Sequence, residues 1–413
     1  MSPIPSVQID VFLDANDTPI QVGAAFVSFR RGTISTNFNY DRSYLSRDDA
    51  WEISPDLSLV SRSAVVQGLP GALADTAPDR WGRNLISQRL RARAKEEGRS
   101  NPGVTDVDYL LEVSDHTRQG ALRYTVGGSD FLTASRDVPK LLELPDLLTA
   151  VEIVSRDEVG GDTMAAVKLL LDAGTGTLGG ARPKASVRDA GRLLIAKFPH
   201  HGDRWDVMAW EMTSLDLAEE CGIQTPKRQL VEVSGRNVLL LERFDRVNNR
   251  RIPFISAMTL VQGRDGETRD YLEIAESLTD SGSNVEKDLV ELWRRIAFSI
   301  AINNTDDHLR NHGLLRRGSG WTLAPVFDVN PNPDEEASRS TTINFESDPS
   351  EALSALFASS STFGLSNNRA SEIWREVRDG VKGWKVAAKK NKIGESEIRR
   401  FESAFDVSRF DND

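Results

Sequence analysis

The length, composition and charge of this chain limit what kind of protein it can be. It has 413 residues, of which 39% are hydrophobic and 27% charged, and a formal net charge of −11. This length predicts two or three domains, and the composition is that of an ordinary globular protein rather than a disordered one. The acidic balance argues against a large nucleic-acid-binding face on this chain alone, because such faces are basic.

The cysteine and histidine content narrows the possible sites further. Cys221 is the only cysteine, so an intrachain disulfide and a cysteine-based zinc site are excluded. The five histidines are scattered and do not predict a metal cluster. We see neither a basic, apolar leader nor a run of membrane-spanning length, and we expect a reduced, cytoplasmic protein with no membrane partner.

The first forty residues alternate between apolar and polar side chains, as β-strands do. Strands are predicted over 7–13, 22–29 and 33–40, with turns at 16–17 and 31–32, and together they indicate an antiparallel meander. Residues 75–82 predict the start of a helix, with a capping acid or threonine ahead of Pro78 in the first turn. We expect that helix to end in the charged segment 95–99.

The middle of the chain mixes short elements with a polar seam at 99–105. Helical pieces are predicted around 105–114 and 138–155, with a strand at 120–124 between them. The stretch 172–185 then holds four glycines, two threonines and two cations, ahead of strands at 184–187 and 192–198. Glycines allow backbone N–H groups to turn toward an anion, so the stretch is a phosphate loop or, equally, a plain glycine-rich hairpin.

Lys197 follows an apolar run, where an unpaired ammonium is costly. Its context, Ile195-Ala196-Lys197, is similar to that of the kinase strand lysine that contacts the α- and β-phosphates; the alternative is an outward-facing lysine. Helix 204–221, ending at Gly222, carries Glu211 as a candidate partner for Lys197, or simply as a solvated glutamate. The hairpin 229–241 leads into 242–246, where a nucleotide hinge is expected.

Helices dominate from about residue 255 onward. They are predicted at 256–262, 270–280, 284–304, 349–358, 366–390 and 394–406. A hairpin, 312–315 with 321–324, interrupts them. A β-rich half followed by a helical half is the bilobal kinase plan, with a site at the junction.

The segment 303–311 and the residues after the hairpin carry the predicted chemistry. Asp306 and Asn311 have the Asp-x-x-x-x-Asn spacing of a kinase catalytic loop, in which Asp accepts a substrate proton and Asn holds Mg²⁺. Asp328, after Phe327, is placed to be a second hard oxygen ligand. The alternative is that Asp306 and Asp307 cap the helix end and Asp328 is an ordinary turn residue.

Taken together, these blocks resemble the HipA family, the serine/threonine-kinase toxins of bacterial toxin–antitoxin pairs, over nearly the whole chain. The resemblance rests on short motifs in a fixed order: Phe38-Asn39-Tyr40-Asp41 with Tyr44-Leu45, Asp75, Pro78-Asp79-Arg80-Trp81-Gly82, Gly179-Gly180-Ala181-Arg182-Pro183-Lys184, Lys197, Glu242-Arg243-Phe244-Asp245-Arg246, Asn304 to Asn311, and Phe327-Asp328.

The resemblance implies an α+β, bilobal protein-kinase-like fold with a β-rich N-terminal lobe and an all-helical C-terminal lobe. It divides the chain into an N-terminal β-rich subdomain (1–100), a kinase N-lobe core (101–250) and a helical C-lobe (251–413). It implies Asp306 as catalytic base and Asn311 and Asp328 as Mg²⁺ ligands. The residues implied to contact ATP are Gly179, Gly180, Ala181, Arg182, Pro183, Lys184, Lys197, Glu242, Arg243, Phe244, His308, Asn311 and Asp328.

The resemblance also implies regulation and partners. Autophosphorylation at Thr177, or at Thr175, would pull the glycine-rich loop from the nucleotide and silence the kinase. The expected partners are a HipB-like DNA-binding antitoxin, DNA only through that antitoxin, and a protein substrate, possibly an aminoacyl-tRNA synthetase. Two other functions stay open: a small-molecule or lipid-head-group kinase of the same fold, and a non-catalytic co-repressor that binds nucleotide or antitoxin.

Overall fold

A computed structural model describes the chain over 6–15, 18–30, 32–100, 103–128, 130–132, 138–156, 161–174, 182–248 and 250–410. The strands are, in order, β1 (Ser6–Leu13), β2 (Ile20–Arg30), β3 (Thr33–Tyr40), β4 (Ala64–Gln67), β5 (Leu122–Thr125), β6 (Lys184–Asp189), β7 (Arg192–Lys197), β8 (Arg228–Val233), β9 (Arg236–Glu242), β10 (Arg246–Val247), β11 (Arg250–Arg251), β12 (Phe254–Ser256), β13 (Arg269–Asp270), β14 (Gly313–Arg317), β15 (Gly320–Leu323) and β16 (Thr341–Thr342).

The α-helices are, in order, α1 (Arg42–Leu45), α2 (Gly71–Ala74), α3 (Arg80–Glu96), α4 (Asp106–Glu112), α5 (Leu144–Ser155), α6 (Gly161–Asp172), α7 (Val207–Glu220), α8 (Ala257–Leu260), α9 (Tyr271–Ser281), α10 (Val285–Ala301), α11 (Ala352–Ala358), α12 (Asn367–Val381), α13 (Trp384–Lys390) and α14 (Glu395–Arg400). In the described part of the chain, no helix combines the length and apolarity needed to cross a membrane.

These elements form two compact units, Met1–His201 with Asp245–Ile255, and Gly202–Phe244 with Ser256–Asp413. The three domains predicted from the sequence stay a prediction. The α+β class is confirmed. The C-terminal part is predominantly rather than entirely helical, because residues 251–413 also contain the predicted hairpin β14–β15 and the short parallel pair β13–β16.

The first unit is built on an antiparallel sheet in the order β4-β3-β2-β1-β5, which contains the predicted meander. Alternate side chains of β1 and β3 are buried, as the period-two pattern requires. Gly23 on β2 faces β3 so closely that a Cβ there would lie 2.3 Å from the carbonyl oxygen of Asn39. A larger residue at this position would therefore force the strands apart.

Helix α3 begins at Arg80, beyond the start that the sequence suggested, which had Pro78 in the first turn. Asp79 is its N-cap and accepts a hydrogen bond from the Gly82 N–H at 2.7 Å. Pro78 thus precedes the cap instead of occupying the first turn, and Asp75 ends the short helix α2. Helix α6, which the sequence analysis missed, packs against α3 and α5.

The second unit packs its helices around aromatic side chains. Helix α7 spans Val207–Glu220, within the predicted range 204–221, and Gly222 follows it at φ +76°. Its Trp210 is 1% exposed and stacks on Phe401 with ring centroids 4.1 Å apart. Helix α10 packs against α9, α11 and α12, and its Trp293 is fully buried. This core fixes the C-terminal end of α10, from which the candidate catalytic loop departs.

Candidate functional site

The loop after α10 is anchored by the backbone of a second loop. The helix ends at Ala301, three residues before its predicted end, and Asn303 turns the chain at φ +51°. The Asn303 side chain donates hydrogen bonds of 2.8 Å to the carbonyls of Asn332 and Asp334. Asn332 in turn donates to the Thr305 hydroxyl at 2.8 Å. Because these partly buried bonds hold the loop to a segment 27–31 residues further along the chain, they fix the path of the chain just before Asp306.

Asp306 and Asn311 are brought together as their spacing predicted. The Asp306 side chain is exposed, and Asn311 is 6% exposed. The Asn311 amide nitrogen donates to the Asp306 carbonyl at 3.2 Å, which turns the amide oxygen the other way. An exposed carboxylate can reach a substrate hydroxyl, and an oriented amide oxygen can serve as a metal ligand. Neither Asp306 nor Asp307 caps the helix.

Asp307, next in the chain, has the opposite environment. It is 7% exposed, and its two carboxylate oxygens accept hydrogen bonds from the Tyr271 hydroxyl at 2.6 Å and from His312 Nε2 at 2.9 Å. Burial alone would raise the pKa of Asp307, but His312 and Tyr271 outweigh it and hold this pKa well below its usual range. The ionised carboxylate only accepts, so His312 carries its proton on Nε2.

Tyr271 and Thr341 complete this network, which the sequence analysis missed. Burial and the neighbouring Asp307 charge raise the pKa of Tyr271 well above its usual value, so it stays a donor. The Thr341 hydroxyl donates to the Asp307 carbonyl at 2.7 Å. The pair Asp307 and His312 was visible in the sequence, but nothing local identifies Tyr271 or Thr341 as their partners.

Asp328 lies in an unusual backbone conformation. Its φ is +59°, and its N–H donates to the buried carboxylate of Glu211 at 3.2 Å. Left-handed backbone in a non-glycine residue costs free energy and is concentrated at functional positions. The preceding ring, Phe327, packs 5.6 Å from Phe244. The role of Asp328 as a metal ligand stays a prediction.

The remaining predicted residues of the second unit have mixed environments. His308 is half-buried, and its Nδ1 has no hydrogen-bond partner among the described residues. Glu242 lies 3.8 Å from Lys227, Arg243 is 2% exposed and Phe244 is half-buried. Their roles in nucleotide binding stay predictions.

In the first unit, Lys184 has a partner that the sequence did not predict. Its ammonium donates to Asp79 at 2.5 Å, and both side chains are almost fully buried. Strand β6 places Lys184 opposite Lys197, which is 4% exposed at the end of β7. Asp79 is also the cap of α3, so one carboxylate joins the end of the glycine-rich stretch to a helix. This pairing gives Lys184 a structural task.

Most of the predicted phosphate loop lies outside the described residues. The predicted residues that fall there are Thr175, Thr177, Gly179, Gly180 and Ala181. Arg182, Pro183 and Lys184, at its end, are described. The phosphate-loop interpretation of this stretch therefore stays a prediction.

The donors available for a cation are hard oxygens. Within the described ranges, no group of three or more His, Cys, Asp or Glu side chains is arranged to hold a metal ion. An amide oxygen from Asn311 and a carboxylate from Asp328 suit Mg²⁺, which usually binds one or two protein groups together with nucleotide phosphates. Two protein oxygens are enough for a metal ion that is also bound by nucleotide phosphates, but too few for one that the protein holds alone.

Comparisons with known proteins define first a class and then a family. The fold is protein-kinase-like and of the α+β class. Residues 176–384 match the HipA-like C-terminal domain, and residues 20–102 match the HipA N-terminal domain. The chain belongs to the HipA family.

Solved structures support the same fold. HipA from Shewanella oneidensis MR-1, determined with HipB and its operator DNA, has a TM-score of 0.68 at 16% identity, covering 98% of this chain and 97% of that chain. The proinflammatory kinase CtkA of Helicobacter pylori has a TM-score of 0.33 at 13% identity, covering 50% of this chain and 94% of that chain. The choline kinase LicA of Streptococcus pneumoniae has a TM-score of 0.18 at 14% identity, covering 56% of this chain and 90% of that chain. Neither similarity is strong enough to support an argument about this chain. No curated protein sequence matches this chain.

Proposed function

We propose that this chain is an ATP- and Mg²⁺-dependent serine/threonine protein kinase that acts as a HipA-type toxin. The main observation behind the proposal is that two neighbouring carboxylates in the loop after α10 have different environments. Asp306 is exposed, whereas Asp307 beside it is buried and bonded to Tyr271 and His312. A phosphotransferase needs one accessible carboxylate on a rigid loop, and this arrangement supplies it.

Each residue of the site has a task in this proposal. Asp306 accepts the proton of the acceptor hydroxyl, while Asn311 and Asp328 offer their side-chain oxygens to Mg²⁺. Lys197 contacts the phosphates, and Glu242 to Phe244 contact the adenine. When bound, ATP would supply the γ-phosphoryl group and leave as ADP, and Mg²⁺ would offset the negative charge of the phosphates. Most of the catalytic effect then comes from positioning and charge.

The proposed self-inhibition involves Thr177, or alternatively Thr175. A phosphate there adds about two negative charges near Arg182 and Lys184. Because Lys184 already pairs with Asp79, the phosphate would have to compete with that buried carboxylate or act through Arg182. Either event would reorder the end of the glycine-rich stretch and silence the kinase.

The proposed partners follow from the family. The HipA of Shewanella oneidensis was solved with HipB and operator DNA, and we extend a HipB-like antitoxin partner to this chain. A net charge of −11 suits DNA contact through the antitoxin rather than directly. The substrate is proposed to be a protein, with an aminoacyl-tRNA synthetase as the first one to test. We place the protein in the cytoplasm.

The proposal is tested by intact-mass spectrometry with peptide mapping. Phosphatase-treated protein is incubated with Mg-ATP beside Asp306→Asn and Asp328→Asn, with the exposed Asp280→Asn as a matched control. We expect phosphate at Thr177 or Thr175 in the parent and the control and none in the two site variants. Phosphate on none of the forms, or equal phosphate on all four, contradicts the proposal. Transfer to metabolites alone would favour the small-molecule kinase.

A further inference from the structure

An exposed aromatic ring stands at the tip of a tight turn, and the segment before this turn is hydrogen-bonded to the candidate catalytic loop. Phe345 is 89% exposed. Single exposed apolar residues are common and need no explanation by themselves. Phe345 differs from an ordinary one in its backbone conformation and in the way its turn is anchored.

The turn is a two-residue hairpin loop with left-handed backbone at both positions. Asn344 has φ +52° and Phe345 φ +69°. Ile343 and Glu346 close the loop with two backbone hydrogen bonds of 2.9 and 3.0 Å. Such loops strongly favour glycine where Phe345 stands, and a bulky residue there is strained. The chain tolerates this strain to present a ring to solvent.

Asp270 holds the base of this turn. One of its carboxylate oxygens accepts hydrogen bonds from the Phe345 N–H at 2.7 Å and from the Thr342 hydroxyl at 2.6 Å. Asp270 is also the N-cap of α9 and is 5% exposed. The ring therefore projects from a fixed support.

The strand leading to the turn runs along the catalytic loop. The Ser340 N–H donates to the Thr305 carbonyl at 2.8 Å, and the Ser340 hydroxyl lies 3.4 Å from an Asp306 carboxylate oxygen. Thr341 donates to the Asp307 carbonyl at 2.7 Å. Phe345 lies five positions after Ser340, so the chain between them spans at most about 18 Å. A polypeptide whose acceptor hydroxyl lies at Asp306 can cover such a span with the residues on either side of the acceptor.

We infer that Phe345 is a specificity-determining residue that binds an apolar side chain of a polypeptide substrate within about five residues of the acceptor hydroxyl. The inference rests on the proposed function and narrows its substrate to a polypeptide. Aromatic residues on rigid supports are favoured as contact anchors because they lose little conformational freedom on binding.

The test uses a positional-scanning library of peptides with a central serine or threonine acceptor, labelled by the full-length protein with Mg-ATP. We expect the parent to prefer a large apolar residue over alanine by about tenfold at one position near the acceptor. In Phe345→Gly this preference should fall below about twofold, while the affinity for ATP, measured by calorimetry, changes less than about twofold. Phe345→Tyr should retain the preference.

Val386→Ser is the matched control, because it removes another exposed apolar side chain, 74% exposed, from the same unit. It should keep the parent preference. The inference is overturned if Phe345→Gly keeps the preference, if the parent labels peptides with no apolar preference, or if it labels itself or metabolites but no peptide. If the parent transfers no phosphate to anything, the proposed function itself fails and the inference falls with it.

Discussion

Phe345 has a left-handed backbone conformation that is unfavourable for its residue type. A left-handed conformation costs a non-glycine residue about 1–2 kcal/mol, whereas glycine loses about 0.5–1 kcal/mol in chain entropy. We therefore expect the free energy of unfolding of Phe345→Gly, measured by urea titration, to be about 1 kcal/mol higher than that of the parent. Phe345→Ala keeps the backbone strain and serves as control. An equal shift in both variants would show that the ring, not the backbone, determines stability here.

The residues of the site could be predicted only where the chain keeps them close in sequence. Asp306 and Asn311 were identified from their spacing, and the structure joins them by a hydrogen bond. Ser340 and Phe345 carry no local pattern that links them to Asp306, because the contact depends on how a distant loop returns. The spacing of residues in the sequence therefore predicts the loop itself, but not the distant residues that contact it.

The Asp307 network makes the stability of the candidate catalytic loop depend on pH in the acid range. Its folded pKa lies below the ordinary value of 3.8, so the unfolded chain binds the proton more readily. The stabilisation is fully present above about pH 4 and is lost as the pH falls further. Asp307→Asn should lower the free energy of unfolding at pH 7 by about 1.5–3 kcal/mol, since it removes hydrogen bonds to a charged group.

Denaturant titrations from pH 7 to pH 3 check this expectation. The parent should lose stability more steeply than Asp307→Asn toward acid pH, so that their curves converge. The exposed Asp280→Asn should follow the parent within about 0.5 kcal/mol. Parallel curves for the parent and Asp307→Asn would mean that this carboxylate is not the titrating group.

The ion pair between Asp79 and Lys184 ties a helix to a strand inside the first unit. Removing one partner of a buried pair leaves an uncompensated charge and costs about 3–5 kcal/mol, to which a lost cap adds about 0.5–2 kcal/mol. Asp79→Ala should therefore lower the free energy of unfolding by at least about 3 kcal/mol. Chemical denaturation followed by circular dichroism measures it.

A double-mutant cycle separates the charge from the cap. In Asp79→Asn/Lys184→Met both charges are replaced, the Asn side chain can still cap, and most of the stability should return. A double variant as unstable as Asp79→Ala would contradict a role based on charge pairing. The exposed pair of Lys382 and Asp379, with a 2.6 Å contact, offers a comparison, because removing it should cost under about 1 kcal/mol.

Elements were predictable where their periodicity is local, and less so at their ends. The hairpins β8–β9 and β14–β15 were predicted, as were the two strands that form β6–β7, because each pairs neighbouring segments across a short turn. The end of α10 was placed too late, since Asn303 leaves the helix to bond with Asn332 and Asp334 far along the chain. Tertiary partners decide such boundaries, and one sequence does not reveal them.

At the scale of the whole molecule, the proposed nucleotide ligands come from distant parts of the chain. Lys197 ends strand β7, whereas Asn311 and Asp328 follow helix α10. A ligand that binds only the folded protein stabilises it, by about 2.7 kcal/mol at a hundred times its dissociation constant. We expect Mg-ATP to raise the free energy of unfolding by about this amount.

The contributions of Lys197 and Asp328 to nucleotide binding can be separated by the same measurement. Lys197→Ala and Asp328→Asn should each remove most of the stabilisation by Mg-ATP at the concentration that saturates the parent, because each weakens binding and so raises the dissociation constant. Asp328→Asn should in addition abolish the difference between ATP with and without Mg²⁺, since it removes a metal ligand. Asp280→Asn should behave as the parent. Full stabilisation of Lys197→Ala by Mg-ATP would show that the protein binds the nucleotide without this lysine, and would remove Lys197 from the proposed site.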